Sequence, residues 1–336
     1  MAIAIIQISI RCGEVSVNIT QSKIMTIKPK TIPGLGDFLD PKFPIVSYDQ
    51  GIPKFTIPNY TAFVQANAEF FSHPEWAKTY FDACHRYPKF KQRWQAVSGT
   101  WDDKIVVDIG CGPGNLYASL GGKPKLLIGV DVALGSLKMA REIGYTPVLA
   151  DAHHLPFISG FADIVALNAT VHHCDDMVKV LVEAARLLRP GGTLIVDHDP
   201  QLSAWNYRGL AMILYKIRLP LYRLFFRNLH IKYSERLAAL KTEAHHRPGD
   251  GVTSALFYQN LRPLGFTVKL YPHNNTVGAE VVEGHFGQPP HWRYGLGQRL
   301  SGINRNTPEA ALSLMCVAKK EQELPLETIP AELRID

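Results

Sequence analysis

The chain has 336 residues, 46% hydrophobic and 20% charged, which fits a soluble globular protein with one large core or two smaller ones. No apolar run reaches the ~20 residues that a membrane span needs, and Met1–Ile10 lacks the basic start and small-residue cleavage site of a signal peptide. The net charge of +6 is concentrated locally: between Gln201 and Lys241 eight Lys/Arg stand against the single acid Glu235, which weakens a nucleic-acid reading of the whole chain.

Residues 1–24 are expected to be poorly ordered or to derive from an early start codon, because Met25-Thr-Ile-Lys-Pro-Lys resembles an ordinary start. Residues 1–58 as a whole read as an extended arm, with six prolines between 26 and 60, that needs a surface to lie across. A helical cap is predicted over 59–100. Asn59 or Thr61 is available to start it, and the aromatic series from Phe63 through Phe70, Phe71, Trp76, Phe81, Phe90 and Trp94 is expected mainly to pack on the core, with one or two rings facing a ligand. From 101 to 200 strand and helix alternate. Strands are predicted at 105–109, 126–131, 146–150, 162–168 and 193–198, and helices at 114–120, 134–143 and 175–188, the last stopped by Arg189-Pro190-Gly191-Gly192. That spacing implies right-handed βαβ crossovers and a parallel sheet covered on both faces.

Residues 201–250 read as an amphipathic helical insertion. Over 203–231 Arg208, Lys216, Arg223 and Arg227 fall on one side and Ile213, Leu214, Ile217, Leu221, Leu224 and Phe225 on the other, with Pro220 expected to kink or break the helix. Two roles fit: a helix packed on the core with a solvated basic face, or a lid or membrane-surface element. Residues 251–320 supply a short helix at 254–264, strands at 266–271 and 311–318, and between the strands a long stretch, 272–310, expected to be a loop covering a pocket. Residues 321–336 read as a charged tail.

The chemistry centres on Val106-Val-Asp-Ile-Gly-Cys-Gly-Pro-Gly-Asn115, an apolar strand turning sharply into a helix. This is a nucleotide-type site at the end of a parallel strand. A dinucleotide turn has the spacing G-x-G-x-x-G; here it is G-x-G-x-G, with Asp108 two residues before the first glycine, where a carboxylate suits a cation better than a pyrophosphate. Asp131 ends the second strand, where a carboxylate accepts ribose hydroxyls, and Asp151 ends the third, where it accepts from an adenine amine. Three acids at successive strand ends, without a basic phosphate clamp, describe a phosphate-free cationic adenosine ligand such as S-adenosylmethionine. The five cysteines are odd in number with no close pair, so neither a disulfide framework nor a thiolate zinc site is expected, and a reducing cytoplasm fits. The pairs His153-His154, His172-His173 and His245-His246 lack the i, i+4 spacing of a helical zinc motif, so no metal is expected.

Asp108-Ile-Gly-Cys-Gly-Pro-Gly-Asn115, Gly129-Val-Asp-Val-Ala133, Ala150-Asp-Ala-His-His-Leu-Pro-Phe157, Ala162-Asp-Ile-Val-Ala-Leu-Asn-Ala-Thr-Val-His-His173 and Leu187-Leu-Arg-Pro-Gly-Gly-Thr-Leu-Ile-Val-Asp197 together resemble class I S-adenosylmethionine-dependent methyltransferases, in particular the ubiquinone/menaquinone-type small-molecule subgroup. The resemblance is strong over roughly 100–200 and weak over 250–320. It implies an α/β fold: a Rossmann-like, mostly parallel seven-stranded sheet with a reversed last strand at 311–318, helices on both faces, a helical N-terminal cap and inserted lid elements. It also implies cofactor contacts from Gly110, Cys111, Gly112 and Gly114 to the methionine part, Asp108 to the ammonium, Asp131 and Val132 to the ribose, Asp151, Ala152 and His153 to the adenine, and Asn168 near the sulfonium.

Methyl transfer needs alignment and a dry site, with a base only if the acceptor must lose a proton. Candidate proton acceptors are His172 and His173 after the fourth strand and His198 after the fifth, where flanking Asp197 and Asp199 are expected to raise its basicity. A cofactor-edge role for His172 and a structural role for His198 stand beside catalysis. The expected acceptor is a fairly large hydrophobic small molecule, quinone-like or a secondary metabolite, methylated on O, N or activated C. Nucleic acid is not expected, since Asn168-Ala-Thr-Val171 is no N-P-P-Y tetrapeptide and the bases do not run along a groove with aromatics. The sequence allows peripheral membrane contact through 203–231 and leaves oligomeric state open. Alternatives are a non-catalytic S-adenosylmethionine-binding protein of the same fold and an NAD-dependent oxidoreductase.

Overall fold

The computed structural model describes residues 6–11, 14–19, 34–75, 81, 85–225 and 233–334, and their side chains except over 6–19 and 218–237. Residues 1–33 and 34–336 are separate compact units. In the first, Ile6–Arg11 and Glu14–Ile19 pair antiparallel. A lone two-stranded ribbon is marginal in water, so the pairing does not decide the expected order of 1–24; Met25 lies outside the described residues.

The second unit is built on one nine-stranded sheet. Its strands are β1 Ser47–Asp49, β2 Ile52–Lys54, β3 Ile105–Ile109, β4 Leu126–Asp131, β5 Thr146–Leu149, β6 Ala162–Asn168, β7 Leu188–Asp197, β8 Phe266–His273 and β9 Ser313–Lys320. Their spatial order is β8-β9-β7-β6-β3-β4-β5-β2-β1. Strands β3 to β7 pair in parallel, and β9 is antiparallel to both β7 and β8. The seven expected strands are therefore present with the reversed last strand. The count of seven is corrected to nine because part of the arm, Ser47–Lys54, joins the edge at β5. Gln50 and Gly51 turn that added hairpin with both φ angles positive, at 48° and 90°, the combination whose twist matches paired strands.

Successive side chains of a strand point to opposite faces, and both faces are dry. Val106, Leu127, Ile164 and Ile195 pack with Phe90, Trp94, Leu116 and Leu137 in one core. Val107, Ile109, Val165, Leu167, Leu194 and Val196 alternate with them and are equally buried. The helices are α1 Ala62–Phe71, α2 Pro88–Ser98, α3 Asn115–Leu120, α4 Leu134–Glu142, α5 Met177–Leu187, α6 Leu202–Trp205, α7 Gly209–Phe225, α8 Tyr233–Thr242, α9 Ser254–Leu261 and α10 Trp292–Leu300. Thr61 caps α1, its Oγ1 accepting from Val64 N–H at 3.2 Å.

Three expectations change. The Arg189-Pro-Gly-Gly192 stop lies inside β7, because α5 ends at Leu187 and the strand begins at once, with its register against β6 shifting between Ala162 and Ile164. Helix α7 is assigned without a break through Pro220. The stretch 272–310 is no simple loop: it holds the 3₁₀ turn Ala279–Glu283 and the helix α10. Trp76, Arg227 and the other residues of 76–80 and 226–232 lie outside the described residues. No described helix is long and apolar enough to cross a membrane.

Candidate active site

Strand β3 delivers Asp108 and the glycine turn to the C-terminal edge of the sheet, and Gly110 and Cys111 anchor the turn by donating to the Val130 carbonyl at 2.8 and 3.1 Å. The glycines then diverge in use. At Gly110 (φ 68°) a Cβ would meet the Thr170 side chain at 2.5 Å. At Gly112 (φ 52°) nothing stands within 4 Å, so its bare backbone faces open space where a ligand can approach. Gly114 (φ 86°) is the N-cap of α3, and a Cβ there would meet Ile143 and Tyr145 at 2.5 and 2.8 Å. Gly110 and Gly112 line the central cavity. Gly114 serves packing and is not part of its wall.

That cavity has a volume of about 530 Å³ and runs past the ends of β3, β4, β6 and β7. One end holds the three acids. Asp131 accepts from Gly112 N–H and Ala133 N–H, each at 2.8 Å, which ties the glycine turn to the entry of α4. Burial raises its carboxyl, and those backbone donors oppose the rise. Asp108 is buried and accepts from the Tyr145 hydroxyl at 2.6 Å; burial pushes it up to about 7 despite that bond. Asp151 is buried too. Burial alone would raise its carboxyl, but the His153 ring, 2.6 Å from Oδ1, and His153 N–H hold it below the usual carboxylate range. Cys111, Val132, Ala152, His153 and Asn168 complete this wall. The Asn168 Nδ2 lies 2.8 Å from His85 Nε2, and its Oδ1 is buried without a partner.

The other end holds histidines and rings. His172 Nδ1 lies 2.6 Å from Asp199 Oδ1, which also accepts from His172 N–H. Burial disfavours charge on both groups, drawing His172 down to about 3 and Asp199 up to about 7. The pair is therefore a neutral imidazole held by a carboxyl through Nδ1, with Nε2 remaining for a ligand. His173 is fixed by the Thr242 carbonyl at 2.7 Å and is likewise drawn down to about 3 by burial. Phe70, Phe71, Trp205, Glu243, His246 and Tyr294 close this end.

His198 lines the cavity, but the expected basicity is overturned. The Asp197 oxygens are already used by Arg93 Nε at 3.2 Å, His273 Nε2 at 2.6 Å and the main-chain N–H of His198 itself. Burial alone would raise the Asp197 carboxyl, but Arg93 and His273 hold it far below the usual range. The His198 ring instead stacks on Phe90, with both nitrogens unpartnered, and burial draws it down to about 3. Its φ of 66° is a strained conformation for a residue with a Cβ.

The structure thus brings together every residue named from the sequence except Gly114. Sequence reasoning missed Tyr145 behind Asp108, the direct Asp199–His172 bond, and Trp205, His246 and Tyr294 in the wall. Only the His245-His246 pair had drawn notice, as a metal candidate; among the described residues no His/Cys/Asp/Glu group is arranged to hold a metal ion.

The wall contains three acids, an open glycine cradle, an orphaned Asn168 Oδ1 and no Lys or Arg. A phosphate would find no cation there. A ligand with an ammonium, a ribose and a sulfonium finds an acid or a bare backbone at each point, so the residues fit S-adenosylmethionine. Comparison with known proteins agrees: residues 107–196 match the family model described as "Methyltransferase domain". This part of the chain is a class I S-adenosylmethionine-dependent methyltransferase domain.

The relatives are diverse. Over 212 residues the chain is 24% identical to demethylmenaquinone methyltransferase of Bacillus velezensis, covering 60% of this chain and 86% of that protein. It is 28% identical over 120 residues to ubiquinone biosynthesis O-methyltransferase of Thiobacillus denitrificans, covering 33% of this chain and 51% of the relative. It is 37% identical over 95 residues to tRNA (carboxymethyluridine(34)-5-O)-methyltransferase ALKBH8 of Mus musculus, covering 27% of this chain and 14% of the relative. Apart from the Bacillus protein, the chain spans about half or less of these relatives.

Proposed function

We propose that the protein transfers a methyl group from S-adenosylmethionine to an oxygen, nitrogen or activated carbon of a fairly large hydrophobic small molecule, of quinone-like or secondary-metabolite type. One observation carries this reading: a single cavity runs from the acid-lined glycine cradle to an aromatic and histidine-lined end. Asp131 and Asp151 are placed for the ribose and adenine, Asp108 for the ammonium, and the Gly110–Gly112 backbone for the methionine chain. When bound, the cofactor supplies a methyl group already activated by a sulfonium.

The remaining work falls to this chain: to hold the acceptor in line, to keep water out, and to take up a proton where the acceptor gives one. His172 suits that last task, because ionised Asp199 holds Nδ1–H and leaves Nε2 as an acceptor. His198, neutral and unpartnered, is placed to donate or accept one hydrogen bond from the acceptor molecule. Phe70, Phe71, Trp205 and Tyr294 give that molecule apolar and aromatic surface.

The experiment is a screen of hydroxylated aromatic, quinol and amine acceptors, with S-adenosylhomocysteine formation as readout and mass analysis of the product. A product heavier by one methyl from an apolar acceptor supports the reading. Turnover confined to RNA would overturn the choice of acceptor. Binding of the cofactor product without turnover on any acceptor would favour a binding protein of the same fold.

A further inference from the structure

Helices α7 and α10 present apolar stripes to solvent. On α7, Leu210, Ile213, Leu214 and Ile217 fall at i, i+3, i+4 and i+7, one helical face, and all are exposed, Ile213 by 56%. The side of α7 that packs inward is instead marked by Ala211. On α10, Trp292, Leu296 and Leu300 repeat every four residues and are also exposed, Trp292 by 68%. A helix packed on the core with only a basic face in solvent, the first of the two roles open from the sequence, is therefore excluded for the described part of α7.

The two elements are joined. Arg208 N–H donates to Ser301 Oγ at 3.1 Å, and Gly297 leaves room for the Tyr207 ring, which a Cβ there would meet at 2.8 Å. Their charge is one-sided. Neither 200–234 nor 284–308 contains an Asp or Glu, and together they hold nine Lys/Arg, more than the whole-chain excess of +6. Arg208, Lys216, Arg293, Arg299 and Arg305 are all exposed. Apolar stripes on adjoining helices, flanked by bases with no acid among them, are complementary to a layer with an apolar interior and anionic headgroups.

We propose that α7 and α10 form one docking surface for an anionic phospholipid bilayer. Trp205, just before α7, and Tyr294, on α10, wall the cavity and lie 5.6 Å apart, so the surface adjoins the end assigned to the acceptor. The acceptor class is thereby deepened to one dissolved in lipid. That consequence rests on the proposed methyl transfer, whereas the docking itself is measured without turnover.

The test is flotation of the full chain with neutral phosphatidylcholine vesicles and with vesicles in which phosphatidylglycerol replaces part of that lipid. The wild type floats with the anionic vesicles and weakly or not at all with the neutral ones. Ile213→Ser/Ile217→Ser/Trp292→Ser lowers the bound fraction at least about tenfold, and Arg293→Glu/Arg299→Glu does the same without touching the apolar stripes. Binding of S-adenosylhomocysteine, unchanged in both variants, shows that they are folded; its failure in the wild type would sink the cofactor reading and leave the flotation result standing. No flotation with either vesicle, flotation unaltered by both variants, or a wild-type dimer that the triple variant dissolves with no vesicle binding each overturns the proposal.

Discussion

The two ends of the cavity are built differently. The cofactor end is made by strand termini and the turns directly after them, so Asp108, Asp131, Asp151 and the glycines lie within about a dozen residues of a buried strand whose register fixes them. The acceptor end is assembled from α1, the turn after β6, the segment after β7, α8 and α10, elements far apart in the chain. A common reaction centre can therefore keep its cofactor geometry while the surrounding helices change what it methylates. The diversity of relatives over residues 107–196 fits that division.

Substitutions should separate the two ends. The largest effect is expected at Asp131: Asp131→Ala removes the acceptor for both the Gly112 and Ala133 amides as well as the ribose partner, and should weaken S-adenosylhomocysteine binding by about a hundredfold or more in calorimetry. Gly112→Val should abolish binding on a similar scale, by placing a side chain in the open cradle at positive φ. Gly114→Ala should instead lower unfolding stability by about 1–3 kcal/mol, by overpacking Ile143 and Tyr145, with less effect on affinity. Equal affinity losses at the two glycines would blur the distinction between cradle and packing.

At the acceptor end, His172→Gln and Asp199→Asn should each lower kcat about a hundredfold for an acceptor that gives up a proton, with S-adenosylhomocysteine affinity unchanged. In the wild type kcat should rise with pH through about 7, as Asp199 ionises and leaves His172 Nε2 free to accept. A smaller change, about tenfold, is expected at the cofactor end on lowering the pH by one unit below about 7, because protonated Asp108 offers an ammonium no charge. Asp108→Asn should hold affinity at its low-pH value throughout. The stability sign follows: Asp108 has a folded pKa above its unfolded value of ~4, so its contribution to the ligand-free chain is present below that value and lost as pH rises to about 7. The smallest effect is expected for His198→Ala, a few-fold loss of kcat/KM with cofactor affinity intact. Full turnover in that variant would remove His198 from the acceptor site.

The sequence made the cofactor end legible because the signals are local: a period-two apolar strand, glycines at alternate positions, and an acid at each strand end. The β1–β2 hairpin escaped notice because Gln50-Gly51 lies among prolines that suggest an arm. The acceptor end was hidden for a different reason. That Asp199 bonds His172 depends on two turns meeting in space, and Asp197, equally close in sequence to His198, is occupied by Arg93 and His273. The orientation of α7 was also beyond periodicity, which gives the stripe but not the side facing the protein; here Tyr207 and Gly297 decide it.

The central claim is that the acid-lined cavity takes a phosphate-free cationic adenosine ligand. Thermal unfolding with S-adenosylhomocysteine and with NADH, added separately, tests it most directly. A ligand at a hundred times its Kd stabilises by about 2.7 kcal/mol, so S-adenosylhomocysteine should raise the Tm by several degrees, in a manner lost in Asp131→Ala, while NADH should leave it unchanged. A rise with NADH alone would contradict the account.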